Sequence, residues 1–291
     1  MNSSQTTSLT PAKPTESQWA ALIKLLADDN PQVYRTVRRT ILSWGPDVVN
    51  WIQPQRLSSD PVLRRRATEI ALHFQKQRTD IQFLAFCLKH GEECELEQGA
   101  WLLGATEYPE INIEAYQALL DSYALEMRDR VDFSASANQV LSGINDYLFG
   151  ELGFAGNESN YYDPENSYLN RVIDRRTGNP ANLCLLYLLL ARRLALPVAG
   201  IALPGHFICR YQGSNDEIFI DVFNRGQLLS KAECIQLLLQ GRQGFREEIL
   251  TPVSTRGILM RSCRNLHQIY LQLGKPEEAM RVQRYLVALA R

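Results

Sequence analysis

The sequence contains few of the residues that build metal sites and redox centres. It has four histidines and six cysteines in 291 residues; the histidines lie far apart, and no cysteine pair has C-x-x-C spacing. Scattered cysteines of this kind are typical of reduced, buried thiols in a cytosolic protein. We therefore expect no metal, no cofactor and a cytoplasmic location.

Long apolar runs and an excess of one charge are lacking as well. No segment approaches the run of about 18 apolar residues that spans a membrane, and the net charge of -1 is far from the basic excess of nucleic-acid-binding domains. We expect neither a membrane nor a nucleic acid as partner. Basic clusters at Arg35–Arg39 and Arg64–Arg66 alternate with apolar positions, which predicts solvated helix faces.

The first third of the chain is helical in pattern. Residues 1–16 are polar and rich in Ser, Thr and Pro, which predicts a disordered tail. Residues 17–95 read as consecutive amphipathic helices, and both Asn30-Pro31 and Asp60-Pro61 place a capping residue before a proline at the first helical position. Their recurrence is similar to HEAT-type repeats, although a plain helical subdomain would give the same pattern.

Periodicity changes from helical to alternating in the middle of the chain, over residues 96–245. Asn179 and Pro180 carry the start signal of an apolar helix that runs to Leu194. Three strand-like runs follow it: Val198–Leu203, His206–Tyr211 and Glu217–Asp221. The expected fold class is α+β and predominantly helical, with the buried helix packed on a small antiparallel sheet.

A hairpin between the last two strands would bring two polar residues together. Gln212 to Asp216 read as the turn, and His206 and Asp221 lie at similar distances from its centre. We therefore predict a hydrogen bond between His206 and Asp221 across adjacent strands.

A Gly-Asn-Pro turn that opens a helix, followed by His and Asp on strands, is the layout of a papain-like cysteine enzyme. Such an enzyme needs its thiolate in the first helical turn, where the helix dipole lowers the thiol pKa. The first helical residue here is Pro180, whereas Cys184 lies one turn deeper in apolar surroundings. Chemistry at Cys184 is disfavoured there, and a packing role for this side chain explains it better.

These residues resemble the transglutaminase-like superfamily, in particular its SirB-type branch. The resemblance runs from about Glu107 to about Cys234 and includes the Tyr161 to Asn170 run and Pro204-Gly205-His206-Phe207. It implies a papain- or transglutaminase-like core, matches His206 and Asp221 to the catalytic His and Asp of the superfamily, and puts Pro180 where active members have the nucleophile. Arg225 stands where the branch more often has a second glycine.

The loop before the buried helix holds the densest polar and aromatic cluster of the chain. Its members can line a binding groove beside His206, or they can hold the loop together through hydrogen bonds to its backbone. The candidate binding residues are Tyr162, Asp163, Asn166, Asn170 and Asn179.

Two function classes remain open at this point. The first is a non-catalytic regulatory or protein-interaction module, that is, a pseudoenzyme with a protein or peptide partner. In this module the core is flanked by helices. The tail, residues 246–291, is a helical hairpin broken at Gly274-Lys275-Pro276 and resembles a tetratricopeptide repeat. The second is a cysteine-dependent peptidase or amide acyl transferase that uses Cys184, His206 and Asp221.

Overall fold

The computed structural model describes residues 14–89, 94–214, 216–240 and 247–291. The predicted disordered tail, residues 1–16, lies almost entirely outside these described residues. Helices dominate the described chain, and a four-stranded antiparallel sheet follows the central helix. The predicted predominantly helical α+β class is thereby confirmed. Among the described residues, no helix combines the length and the apolar content needed to cross a bilayer.

The chain divides into two compact units, Met1–Asp80 and Ile81–Arg291. The described part of the first unit has its own apolar core, which includes Trp19, Ile41 and Phe74. Its helices are α1 (Glu16–Leu26), α2 (Pro31–Ser43), α3 (Val49–Ile52) and α4 (Pro61–Lys89), the last of which contributes to both units.

The predicted proline starts of α2 and α4 are confirmed. Asn30 accepts a hydrogen bond from the backbone N–H of Gln32 at 2.9 Å, and Asp60 accepts one from Val62 at 2.8 Å. Each cap satisfies an N–H group that has no partner within its helix.

The prediction of a solvated basic face on α4 is wrong for one residue. Arg66 is buried, and its guanidinium donates to the carbonyl oxygens of Leu26 at 2.8 Å and Asp28 at 2.6 Å. It also lies 4.3 Å from the ring centroid of Tyr34. The carbonyls at the end of α1 lack helical partners, so a buried cation there replaces the water that they would bind.

The second unit contains the remaining helices and both sheets. Its helices are α5 (Leu96–Glu107), α6 (Ile113–Arg130), α7 (Ala137–Asn145), α8 (Leu169–Arg175), α9 (Pro180–Arg193), α10 (Lys231–Gln240), α11 (Thr255–Gln272) and α12 (Pro276–Leu289). A π-helical turn, Asp146–Glu151, continues α7.

The main sheet contains strands β3 (Val198–Leu203), β4 (His206–Gln212), β5 (Glu217–Asp221) and β6 (Gln227–Leu229), in that order and antiparallel. The first three confirm the predicted strands, whereas β6 was not predicted. Two short strands, β1 (Ala155–Gly156) and β2 (Thr177–Gly178), form a separate parallel pair.

Helix α9 lies at the centre of the second unit. Every residue from Pro180 to Ala191 is buried. On one side the helix packs against β4, where the thiol of Cys184 donates to the carbonyl oxygen of Phe207 at 3.4 Å. An apolar helix surface of this kind must be covered on every side, which confirms the predicted buried helix.

Helices α5 and α11, which belong to the same core as α9, are in close contact with each other. A Cβ atom on Gly99 would lie 2.9 Å from Cε1 of Phe86 and closer still to Cδ1 of Leu259. Only a glycine lets the backbone of α5 approach α11 so closely.

We expect Gly99→Ala to lower the free energy of unfolding by about 1–2 kcal/mol, because overpacking outweighs the better helix propensity of alanine. Gly150→Ala is the matched control, since a Cβ there meets nothing within 4 Å. Urea unfolding should show a loss for the first variant and no loss for the second. Equal stability of both variants would contradict the close contact.

Candidate functional site

The N-terminus of α9 is built around the side chain of Asn179. Its Oδ1 accepts a hydrogen bond from the backbone N–H of Asn182 at 3.0 Å, and its Nδ2 donates to Oγ of Ser167 at 2.8 Å. Pro180 is the first helical residue and is buried. The first turn therefore offers neither a nucleophilic side chain nor a backbone N–H at position 180.

His206 and Asp221 form the predicted cross-strand hydrogen bond. Nε2 of His206 lies 2.9 Å from Oδ2 of Asp221. The β4–β5 register pairs Cys209 with Ile220, so its continuation puts Asp221 opposite Ile208, one position along the same face from His206. The imidazole is about one quarter exposed and the carboxylate is buried.

Asp221 is held as a carboxylate by several donors. Burial alone would raise its pKa, but hydrogen bonds from His206 and Asn224 outweigh burial and leave the pKa below the ordinary value. Asn224 donates from Nδ2 to Oδ2 at 2.8 Å and from its backbone N–H to Oδ1 at 3.3 Å. The pair thus has the geometry of an imidazole that is oriented by an ionised carboxylate.

Phe223 packs over this pair. Its ring centroid lies 6.1 Å from that of His206 and 6.1 Å from that of Tyr161, edge to face in both cases. A Cβ on Gly156 would come within 2.6 Å of the Phe223 ring, so β1 needs a glycine at this point.

Cys184 lies in the core, on the side of α9 that faces β4. It has no exposed surface, and burial raises the pKa of its thiol well above the ordinary value, with Cys209 adding to the effect. A thiol without access to solvent or substrate is not an effective nucleophile in this conformation.

The loop before α9 is ordered by its own amide side chains. Asn166 has no exposed surface; its Oδ1 accepts from Asn157 at 2.9 Å, and its Nδ2 donates to the carbonyl oxygens of Asn160 and Tyr161 at 2.8 and 3.2 Å. Asn170 is buried against Gly104 of α5. The contacts of Asn166 match the interpretation in which asparagines hold the loop together. Oδ1 of Asn170 is buried and has no hydrogen-bond partner among the described residues.

An ion pair closes the same loop onto α8. Arg175 donates to Asp163 at 2.8 Å and to Glu165 at 2.9 Å. Helix α8 itself was not predicted, since the loop sequence is rich in Gly, Asn and Pro. The helix forms because Leu169, Val172 and Ile173 share one buried face.

A cavity of about 420 Å³, here called the α11 pocket, opens between this loop and α11. Two of the candidate binding residues, Tyr162 and Asn179, line it, as does Gly205 next to His206. Tyr162 is about half exposed. Asp163, Asn166 and Asn170 are not among its lining residues, so the structure separates the five candidates into two groups.

The α11 pocket also contains residues that the sequence did not suggest. Arg261 and Arg264 of α11 line it, about one hundred positions after Tyr162. The available signal was the polar stripe Arg261, Arg264, Asn265 and Gln268, whose spacing puts all four on one helix face. A second cavity of about 540 Å³ lies on the Phe223 side and is lined by Gly156 and Thr177.

Residues 114–264 match the family model described as the transglutaminase-like superfamily, which is just over half of the chain. The chain belongs to this superfamily. The core around α9 and the antiparallel sheet lies inside the matched region, as do His206, Asp221 and Arg261.

UPF0162 proteins of bacteria and an F-box protein of mammals are similar to this chain. A UPF0162 protein of Xylella fastidiosa is 35% identical over 196 residues, which is 65% of this chain and 70% of the relative. A UPF0162 protein of Pseudomonas aeruginosa is 28% identical and covers 70% of this chain and 74% of its own length. F-box only protein 21 of Mus musculus is 37% identical over 148 residues, 48% of this chain but 22% of that protein. No solved structure matches the chain.

Asp221→Asn tests how the buried carboxylate contributes to stability. We expect it to lower the free energy of unfolding by about 1–3 kcal/mol at neutral pH, because a buried hydrogen-bonded charge is replaced by an amide. A folded-state pKa below the unfolded one stabilises the fold above pH about 4, and this contribution is lost as the pH falls through the folded value.

In urea unfolding experiments, the difference in the free energy of unfolding between wild type and Asp221→Asn should therefore decrease as the pH is lowered to about 3. Asp129→Asn, at an exposed position, is the control and should change stability by less than about 0.5 kcal/mol. A difference for Asp221→Asn that stays constant with pH would show that the charge is not its source.

Proposed function

We propose that this chain acts as a non-catalytic, transglutaminase-like module that binds a protein or peptide partner at the N-terminal end of α9. The observation that carries the proposal is Pro180, which occupies the first position of a helix whose only cysteine, Cys184, is fully buried. A proline has neither a nucleophilic side chain nor a backbone N–H for an oxyanion.

The retained His206–Asp221 pair is compatible with both function classes. In the alternative, a peptidase or amide acyl transferase, His206 would take the proton of a thiol and Asp221 would orient the imidazole. The burial of Cys184 and its hydrogen bond to the Phe207 carbonyl argue against that route. An enzyme of this kind would need α9 to move away from β4 before each turnover.

Three features support a partner at this site. Tyr162 presents a half-exposed aromatic ring at the α11 pocket, and tyrosine is enriched where proteins bind each other. The pocket lies beside the His206 strand, where Gly205 forms part of its wall. The region shared with F-box only protein 21 is also a small part of that larger protein, as expected for a module that combines with other segments.

The flanking regions fit the same proposal. We assign the chain to the SirB-type branch and interpret α11 and α12 as a tetratricopeptide-like hairpin, since they meet at Gly274 and Pro276 and pack on each other. We assign residues 17–95 to a HEAT-like helical region, 96–245 to the core and 246–291 to the hairpin, in a protein that acts in the cytoplasm. The sequence supports these assignments through its repeated proline starts and its unpaired thiols.

Pro180→Cys tests the absence of a nucleophile. We expect the wild type to have no fast-reacting thiol, because all six cysteines are buried. The variant should gain one thiol that ionises below the ordinary value of about 8.5, measured by thiolate absorbance against pH, since the helix dipole and His206 stabilise the anion.

Two controls complete this experiment. Gln283→Cys places a thiol on an exposed face in the middle of α12 and should ionise near the ordinary value. His206→Ala combined with Pro180→Cys should remove most of the effect. Peptidase or acyl-transfer activity in the wild type that disappears in Cys184→Ala would overturn the non-catalytic proposal.

A photo-crosslinking residue at position 162 tests the partner. Benzoylphenylalanine in place of Tyr162 should give a discrete adduct in cells, because its side chain lies at the proposed binding surface. The same residue in place of Phe133, which is also exposed, should give none. Absence of an adduct at position 162, or the same adducts at both positions, would contradict binding at this surface.

A further inference from the structure

The exposed face of α11 presents positive charge to the α11 pocket. Arg261 and Arg264 lie one turn apart and both line the cavity, and Asn265 and Gln268 continue the polar stripe. The opposite face, with Leu259, Cys263 and Leu266, is buried in the core. The helix is therefore fixed by its apolar face, and its basic face is held at the cavity.

Arg261 differs from the other partly buried or buried arginines among the described residues of the second unit, and from Arg66 of the first unit. Five arginines pair with a carboxylate at N–O distances of 2.6 to 3.3 Å: Arg171, Arg175, Arg193, Arg210 and Arg281. Arg66 and Arg256 each have two or more backbone carbonyl acceptors, the closest at 2.6 Å. Arg261 makes one long contact of 3.5 Å to the carbonyl oxygen of His206.

No carboxylate among the described residues compensates this charge. The contact given for Arg264 is to the sulfur of Met260, at 3.1 Å. Burial lowers the pKa of Arg261. The phenol of Tyr161 raises this pKa and the positive charge of Arg264 lowers it, and the net shift is downward. Because a half-buried cation without a counter-ion is costly, an anion that entered the cavity would relieve that cost.

The chemistry of the pocket matches one kind of anion. A guanidinium donates two parallel N–H groups to a carboxylate, with Arg264 near enough to strengthen the attraction. Tyr161 and Tyr162 offer aromatic surface for the neighbouring part of a peptide, and the amides of Asn265 and Gln268 can pair with peptide groups. A protein partner supplies carboxylates in two ways, as an acidic side chain or as the end of the chain.

We propose that the α11 pocket binds a carboxylate group of a peptide partner, with Arg261 as the main contact and Arg264 as the second. This inference rests on the proposed function, since it specifies the chemistry of the partner that binds there. It makes the cavity beside His206 an anion-recognition site.

Arginine side-chain NMR tests this directly on the full chain. The Nε–H resonance of Arg261, assigned with Arg261→Gln, should shift saturably when N-acetylglycine is added. N-acetylglycine amide, which has the same size but no charge, should give no saturable shift. N-acetylglutamate α-amide carries a side-chain carboxylate; stronger binding of this probe identifies an acidic side chain, and stronger binding of N-acetylglycine identifies a chain end.

Variants separate the two arginines from a general charge effect. Arg264→Gln should weaken binding by about fivefold, as for one exposed charge pair, and Arg261→Lys should weaken it more because lysine lacks the paired N–H groups. Arg39→Gln, an exposed charge change in the first unit, should leave binding unchanged. Thermal unfolding of each variant confirms that the fold is retained.

Three results would overturn the carboxylate site. The first is the absence of a saturable shift of the Arg261 Nε–H resonance up to about 50 mM probe, since a dissociation constant above that concentration corresponds to negligible binding. The second is an equal response to the amide control, and the third is tighter binding of inorganic phosphate than of either carboxylate.

Failure of this inference and failure of the proposed function give different results. An adduct at position 162 whose yield is unchanged by Arg261→Gln would preserve the partner and reject the carboxylate contact. Saturable carboxylate shifts without any adduct at position 162 would preserve the anion site and reject the partner surface.

Discussion

The complete burial of α9 is the constraint on which the rest of the second unit depends. An apolar helix that is covered on every side needs a sheet on one side and helices on the others, and the chain provides β3 and β4 before it closes the core with α11. The side chains of the helix middle are then unavailable to any ligand, Cys184 included. At the start of the helix, the N-cap residue Asn179 lines the α11 pocket.

The first turn is held by a loop that is itself short of apolar residues. Such a loop must satisfy its backbone groups when it is partly buried, and Asn166 does so for the carbonyl oxygens of Asn160 and Tyr161. The same side chain accepts a third hydrogen bond from the side chain of Asn157. Arg175 pairs with Asp163 and Glu165, and Arg171 also pairs with Glu165, so both carboxylates of the loop have a cationic partner.

Local signals were enough to predict the centre of the fold. The cap and proline before α9, the alternation in β3, β4 and β5, and the distances of His206 and Asp221 from their turn all depend on residues close in sequence. Strand β6 has three residues and β1 has two, too few for any period to appear. These elements form because distant segments meet, as when β1 pairs with β2.

The candidate site was predicted in part for the same reason. Its loop and strand residues lie within one stretch of sequence, whereas Arg261 and Arg264 arrive from a helix that the chain adds later. The same limit applies to Arg66. Its sequence neighbours predict a solvated side chain, but it donates to carbonyl oxygens at the end of α1, a contact that the local sequence does not indicate. Charge on a helix face predicts exposure only where no other element covers that face.

Asp221 organises the turn after β5 as well as pairing with His206. Its carboxylate accepts two hydrogen bonds from Asn224, and its carbonyl oxygen accepts one from Gly226 at 2.9 Å, so it organises the whole turn after β5. That turn carries Phe223 onto Gly156 and against Tyr161 and His206. The His206–Asp221 pair therefore has a structural use here, because Asp221 holds the turn that places Phe223 against His206.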